Sequence, residues 1–150
     1  AHYDLGNSFY QLWLDGTMNY SSAWFEGDLT KPMADAQDAK VRRALRMAQV
    51  QAGDRVLELG CGWGALAEKA VSEFNAHITG ITLSTEQLAW AQERMRAVGA
   101  EAQVDLRLQD YRDIQIDQPH RRRRRAGRRW RAPRGTADRP GRLVHQAPAP

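Results

Sequence analysis

Hydrophobic positions recur along the first 120 residues with periods that change from block to block, and each period predicts an element. Phe9, Leu12 and Trp13 stand at i, i+3 and i+4, the spacing of one helical face, and predict a short helix over 8–14. After the Lys31-Pro32 break, Val41, Leu45 and Ala48 share a face of a helix predicted over 35–49, closed by a turn at Ala52-Gly53-Asp54. The period then shortens. Residues 55–59, RVLEL, form a β-like run that stops at Gly60-Cys-Gly-Trp-Gly64, and 65–74 has helix-forming composition. A second strand is predicted over 77–81. Ser84 followed by Gln87 reads as a capping box for a helix whose Leu88, Ala91, Met95 and Val98 share a face and which Gly99 ends. Val104, Leu106 and Leu108 alternate with Asp105 and Arg107 in a third strand. The order βαβαβ, with crossovers of helical length, predicts an α/β fold with a parallel sheet and right-handed connections.

Charge divides the chain where periodicity stops. Residues 1–120 carry 11 Lys+Arg against 17 Asp+Glu, whereas 121–150 carry 11 Arg against the single Asp138. In that last segment no hydrophobic face of either period can be drawn, so 120–150 is expected to be a disordered Arg/Pro-rich tail without a core. Its charge would attract phosphates or anionic lipid nonspecifically. No groove-reading motif accompanies it, so no specific nucleic-acid partner is predicted. No apolar run approaches the roughly 18 residues of a membrane span, and AHYDLGN lacks the basic start and apolar stretch of a secretory signal, which predicts a cytoplasmic protein. Cys61 is the single cysteine, excluding an internal disulfide. It shares no ligand-like spacing with His2, His77, His120 or His145, and no metal site is predicted.

The candidate chemistry lies in the glycine loop. Gly60, Gly62 and Gly64, at alternate positions after a strand, let the backbone pass close to a ligand at the mouth of the sheet, where Cβ atoms would collide. Glu58, two residues earlier, can meet a cationic group, whereas it would repel a pyrophosphate. The spacing is GxGxG and not GxGxxG, and the second strand runs out in Gly80-Ile-Thr-Leu-Ser84 without an acid. Both departures favour S-adenosylmethionine over a dinucleotide. Gln87, on the first turn of the following helix, can reach a ribose hydroxyl, and Asp110 follows the third strand at the same edge. Cys61, a small group in a tight turn, is read as structural.

HYDLGNSFYQLWLD, YSSAWF, AQDAK, VLELGCGWGALAEKA, GITLSTEQLAWAQER and LQDYRD, in this order and spacing over about residues 1–119, resemble the cyclopropane-fatty-acyl-phospholipid synthases, the mycolic acid cyclopropane synthases among them. The resemblance implies a Rossmann-like class I methyltransferase that moves the S-adenosylmethionine methyl onto the cis double bond of a lipid acyl chain. It assigns Tyr20 and Ser21 to closure over the cofactor, and Glu58, Gly60, Gly62 and Gly64 to the glycine loop. Thr82, Leu83 and Gln87 would hold the ribose, with Asp110 and Tyr111 bordering the adenine. Ser22 stands where the family often has a bicarbonate-binding Cys; a hydroxyl is not a thiol, so a methyl-branched product stands beside a cyclopropane. The implied partners are bicarbonate and an unsaturated phospholipid or acyl chain, met through peripheral contact with the inner membrane face. Tyr3, Tyr10, Trp13, Tyr20, Trp24 and Phe25 offer aromatic faces to a cation. A small-molecule methyltransferase of the same class is the alternative.

Three regions follow: an aromatic-rich helical cap segment over 1–33, a partial S-adenosylmethionine-binding domain over 34–119, and the tail over 120–150. Arg121 to Arg125 cannot form a strand buried on both faces, since each unpaired buried charge costs several kcal/mol. The switch reads as a shifted coding frame. The expected sheet is therefore incomplete, with the first three parallel strands alone, an exposed first strand, half a cofactor crevice, and little or no activity in this chain.

Overall fold

A computed structural model of the chain describes residues 6–114 and 142–145. Strands β1 (Arg55–Leu59), β2 (His77–Thr82), β3 (Val104–Leu108) and β4 (Arg142–His145) form one sheet in the order β3-β2-β1-β4. All three pairings are parallel, with Glu58 opposite Gly80 on one side and Val144 on the other. The helices are α1 (Asn7–Tyr10), α2 (Met33–Met47), α3 (Ala65–Ser72) and α4 (Thr85–Ala97). Val56, Leu57 and Glu58 are all buried, as an interior parallel strand covered on both faces requires. The core joins Val41 and Leu45 of α2, Leu66, Ala67, Ala70 and Val71 of α3, and Met95 of α4 to Val56, Ile78 and Val144 of the sheet.

Three helices stop in the same way. Gln49, Asn75 and Gly99 each adopt a left-handed φ just beyond α2, α3 and α4. The next amide then donates back across the turn, Val50 to Leu45 O, Ala76 to Ala70 O and Ala100 to Met95 O. Gly99 and Asn75 are residue types that favour such a stop, whereas Gln49 adopts the conformation despite an unfavourable Cβ.

The expected strands and helices are present, with four differences. Helix α1 is a single turn, and its buried residue is Tyr10, while Phe9, Leu12 and Trp13, the predicted inner face, are exposed. Val98 is also exposed, because α4 ends before it and only Ala91 and Met95 of the predicted face are fully buried. The capping box is half made: Ser84 Oγ accepts from Gln87 N at 3.3 Å, but the Gln87 side chain turns to Thr82.

The fourth difference corrects the expectation that the sheet ends at β1 and that 120–150 contributes nothing to a core. Val144 is 6% exposed within the core, and Arg142 Nε donates to Asp54 Oδ2 at 2.7 Å while its Nη1 donates to Ala48 O at 2.6 Å. Four residues are too short a run to register as a period, yet a parallel ladder needs only backbone groups, one buried valine and a partner for the arginine. β1 is thus interior, and the strand order reverses between β1 and β4, the position where this class of sheet opens a crevice. His2, Tyr3, His120, Arg121–Arg125 and the rest of 115–141 lie outside the described residues. Among the described residues, no helix is long and apolar enough to cross a membrane.

Candidate functional site

The loop after β1 is built from hydrogen bonds to its neighbour strand. Ile81 O accepts from both Gly60 N, at 3.0 Å, and Cys61 N, at 2.8 Å, and Gly64 N then donates to Cys61 O at 2.9 Å. Gly60, Gly62 and Gly64 have φ of 79°, 52° and 83°, a region costly for any residue with a Cβ. Their surroundings differ. A Cβ at Gly60 or Gly62 would meet nothing within 4 Å, whereas one at Gly64 would lie 3.0 Å from Ala91 Cβ. A Cβ at Gly64 would thus collide with α4, on which the loop packs, whereas Gly60 and Gly62 are favoured by their φ and border open space. Gly80 is a second packing glycine that the sequence reading passed over: its Cβ would fall 2.8 Å from Leu106 Cδ2 and 2.9 Å from Cys61 Cβ.

Glu58, under this loop, is fully buried at the C-terminal half of β1. Burial, and then the Glu58 carboxylate, push the Cys61 thiol well above its ordinary range, so Cys61 is held as the neutral thiol. Thr82 and Gln87 are also buried and bonded to each other, with Thr82 Oγ1 donating to Gln87 Oε1 at 2.9 Å. Ser84 N donates to Thr82 Oγ1 at 3.2 Å, fixing the strand-to-helix turn. Leu83, between them, is exposed. Gln109 N donates to Thr82 O, which brings the end of β3 to the same edge. There Asp110 caps the Tyr111–Asp113 turn by accepting from Arg112 N at 2.8 Å, and Tyr111 is exposed. Hydrogen bonds from Arg112 hold the Asp110 carboxyl down to about 2.

The aromatic segment reaches this loop through Trp63. Its Nε1 donates to Asn7 Oδ1 at 2.7 Å, and its ring packs at 4.9 Å from that of Tyr10. Tyr10 in turn meets Tyr20 edge-on at 5.7 Å, and Trp13 meets Tyr20 at 5.6 Å. Arg94 of α4 donates from Nη1 to Thr17 O at 2.8 Å and pairs with Glu68 of α3. Met18, buried with φ 53°, makes the bend between these anchors. Ser21 is held from α2: Gln37 Nε2 donates to its carbonyl at 3.0 Å and Lys40 Nζ to its Oγ at 2.8 Å. Ser22 is exposed beside it. The structure thus gathers Glu58, the three loop glycines, Thr82, Leu83 and Gln87 at the ends of β1 and β2. It ties Tyr20 to them through Tyr10 and Trp63. Trp63, Asn7, Gln37 and Lys40 were not predicted as site residues; the i, i+3 pairing of Gln37 and Lys40 on one helix face was the signal available.

A family model described as mycolic acid cyclopropane synthetase matches residues 1–121. A probable fatty acid methyltransferase of Pseudomonas putida is 48% identical over 117 residues, covering 77% of this chain and 29% of that protein. The cyclopropane-fatty-acyl-phospholipid synthase of Escherichia coli strain K12 is 41% identical over 114 residues, 75% of this chain and 28% of its own length. The crystal structure of mycolic acid cyclopropane synthase CmaA1 complexed with SAH and CTAB superposes with a TM-score of 0.71 at 33% identity, covering 76% of this chain and 40% of that one. The chain therefore spans well under half the length of these relatives. With the strand order, the glycine loop and the helix cap all in the arrangement of a class I methyltransferase, the chain belongs to the mycolic acid cyclopropane synthetase family.

Proposed function

We propose that this chain carries the S-adenosylmethionine side of a methyl transfer to the cis double bond of a lipid acyl chain, leading to a cyclopropane or methyl-branched product. The observation that carries the reading is the Gly60–Gly62 turn, which borders open space above the buried Glu58 at the point where strand order reverses. The SAH-bound relative supports it. The residues fit the cofactor: backbone free of Cβ for close approach, a carboxylate for a cationic ligand, and a polar pair at the strand end. When bound, the cofactor supplies an electrophilic methyl group.

Gln87 Oε1 is occupied by Thr82, so the amide nitrogen is the part left to donate to a ribose oxygen. Leu83, exposed, stands with Thr82 and Gln87 at the ribose, and the exposed Tyr111 offers its ring to an adenine that Asp110 borders while capping its own turn. Tyr20 and Ser21 close from the other side, and Ser22 offers a hydroxyl to bicarbonate. An alkene is a poor nucleophile, so the site must align it, exclude water and tolerate positive charge on the chain. The aromatic faces of Trp13 and Tyr20 are the groups we assign to the last task. The exposed Phe9, Leu12 and Trp13 form the surface that meets the acyl chain or the membrane face. We retain the division into a cap over 1–33 and a cofactor domain over 34–119, with 142–145 added to the latter's sheet. For 120–141, sequencing the codons for 117–125 tests the shifted-frame reading: an altered base supports it, and an unaltered Arg run overturns it.

Calorimetric titration of the chain with S-adenosylhomocysteine tests the cofactor assignment. Binding that is lost in Gly62→Val and absent for NAD supports it; equal binding by Gly62→Val overturns it. Transfer of labelled methyl groups to vesicles of unsaturated but not saturated phospholipid supports the substrate class, and methylation of small amines instead would replace it.

A further inference from the structure

The ammonium of Lys40 is committed in three directions, each to a neutral oxygen. Nζ donates to Gln37 Oε1 at 2.6 Å, to Ser21 Oγ at 2.8 Å and to Asn19 Oδ1 at 3.3 Å. An ammonium has three N–H groups and no lone pair, so the Ser21 hydroxyl accepts from it and keeps its own proton for another partner. Gln37, one turn earlier on α2, fixes the Ser21 carbonyl as well. One helix face therefore sets both the main chain and the side chain of Ser21, next to the Tyr20 ring that packs toward the glycine loop.

We propose that Lys40 is a positioning residue: by donating to Ser21 Oγ, it keeps the Ser21 hydroxyl proton free to be donated to the cofactor. The assignment rests on the S-adenosylmethionine reading above. Burial pulls Lys40 from its ordinary 10.5 down to about 8, against the opposing effect of Asp15, the charged group facing it among the described residues. Asn19, Ser21 and Gln37, the acceptors of its hydrogen bonds, are neutral. Once Lys40 loses its proton, the amine gains a lone pair, and the Ser21 hydroxyl turns to donate into it. The donor is then withdrawn from the ligand. Ligand affinity should fall as pH rises through about 8. Fold stability from this group has the opposite sign. Its folded pKa lies below the unfolded one, so its contribution is full above 10.5 and is lost as pH falls through about 8.

The test is the affinity of the chain for S-adenosylhomocysteine from about pH 6.5 to 9.5, with thermal unfolding measured in parallel, for the parent, Lys40→Met, Ser21→Ala and the double variant. Affinity of the parent is expected to drop about tenfold across that range, and Ser21→Ala to remove this drop, leaving only the ligand's own titration. Lys40→Met removes the N–H that occupies the Ser21 oxygen and leaves Gln37 Oε1 and Asn19 Oδ1 to accept the Ser21 proton instead, so it should bind about tenfold more weakly, with no further loss in the double variant. A parent profile that matches Ser21→Ala, or additive losses in the double variant, overturns the role of Lys40 while leaving the cofactor reading intact. A parent chain that binds no S-adenosylhomocysteine at any pH overturns both. Should Lys40→Met fail to fold, the parent and Ser21→Ala profiles decide alone.

Discussion

The two sides of the candidate site are built by different means. From β1 through the glycine loop into α3, the shape is set by main chain: parallel ladder pairs, Ile81 O shared by two amides, and three positive φ angles. From Asn7 to Trp24, four residues are helical, and shape comes from side chains meeting partners far along the sequence. Trp63 reaches Asn7, Arg94 reaches Thr17 O, Lys40 reaches Ser21, and the Arg43 guanidinium lies 4.1 Å above the Trp24 ring. The loop side is thus a product of local backbone rules, and the cap is a product of docking. A cap made this way can be loosened without unfolding the sheet, while the loop cannot change without straining the strand that carries it.

Separating the two regions by mutation gives a graded series. Tyr10→Ala removes the buried ring at the centre of the cap and should cost about 3–5 kcal/mol of cap docking, read as accelerated hydrogen exchange over 7–24 with β1–β3 still protected. Loss of protection throughout would show that the two regions are one cooperative unit. Gly64→Ala, with its Cβ 3.0 Å from Ala91 Cβ and φ 83°, should lower global stability by about 2–4 kcal/mol in urea unfolding. Gly62→Ala, strained by φ but meeting no neighbour, should cost about 1–2 kcal/mol and so be the milder of the pair. Asn7→Ala leaves the buried Trp63 N–H without its acceptor and should cost about 1–3 kcal/mol, again confined to cap exchange. Arg142→Met should cost about 1 kcal/mol, since the Arg142–Asp54 pair is part-exposed, and should speed exchange of the amides shared by β1 and β4.

Acid titration gives the smallest effect. Asp110, held to about 2 by Arg112, contributes above its unfolded value near 3.8 and loses that contribution as pH falls through about 2. Arg112→Met should return the Asp110 carboxyl toward its ordinary value in an NMR titration, with β3 unchanged.

Where a period or a punctuating residue acts within a few positions, the sequence alone determined the outcome. RVLEL is β1 as drawn, Val104–Leu108 is β3, Ser84 caps α4, and GCGWG is the loop at the sheet mouth. Glu58, the loop glycines and the Thr82–Gln87 segment were legible for the same reason, because strand, turn and cap chemistry place them whatever surrounds them. Tertiary structure decided the rest. Tyr10 is the buried residue of α1 because Trp63 covers it, and Gly80 is small because Cys61 and Leu106 crowd it from other elements. Arg142 and Val144 join the sheet although their segment averages to an Arg-rich tail, since Asp54 and Ala48 O satisfy the charge and β1 supplies the ladder. Each of these outcomes depends on a partner at a sequence separation that no local pattern encodes, and a contact between distant residues exists only once the chain has brought both ends together.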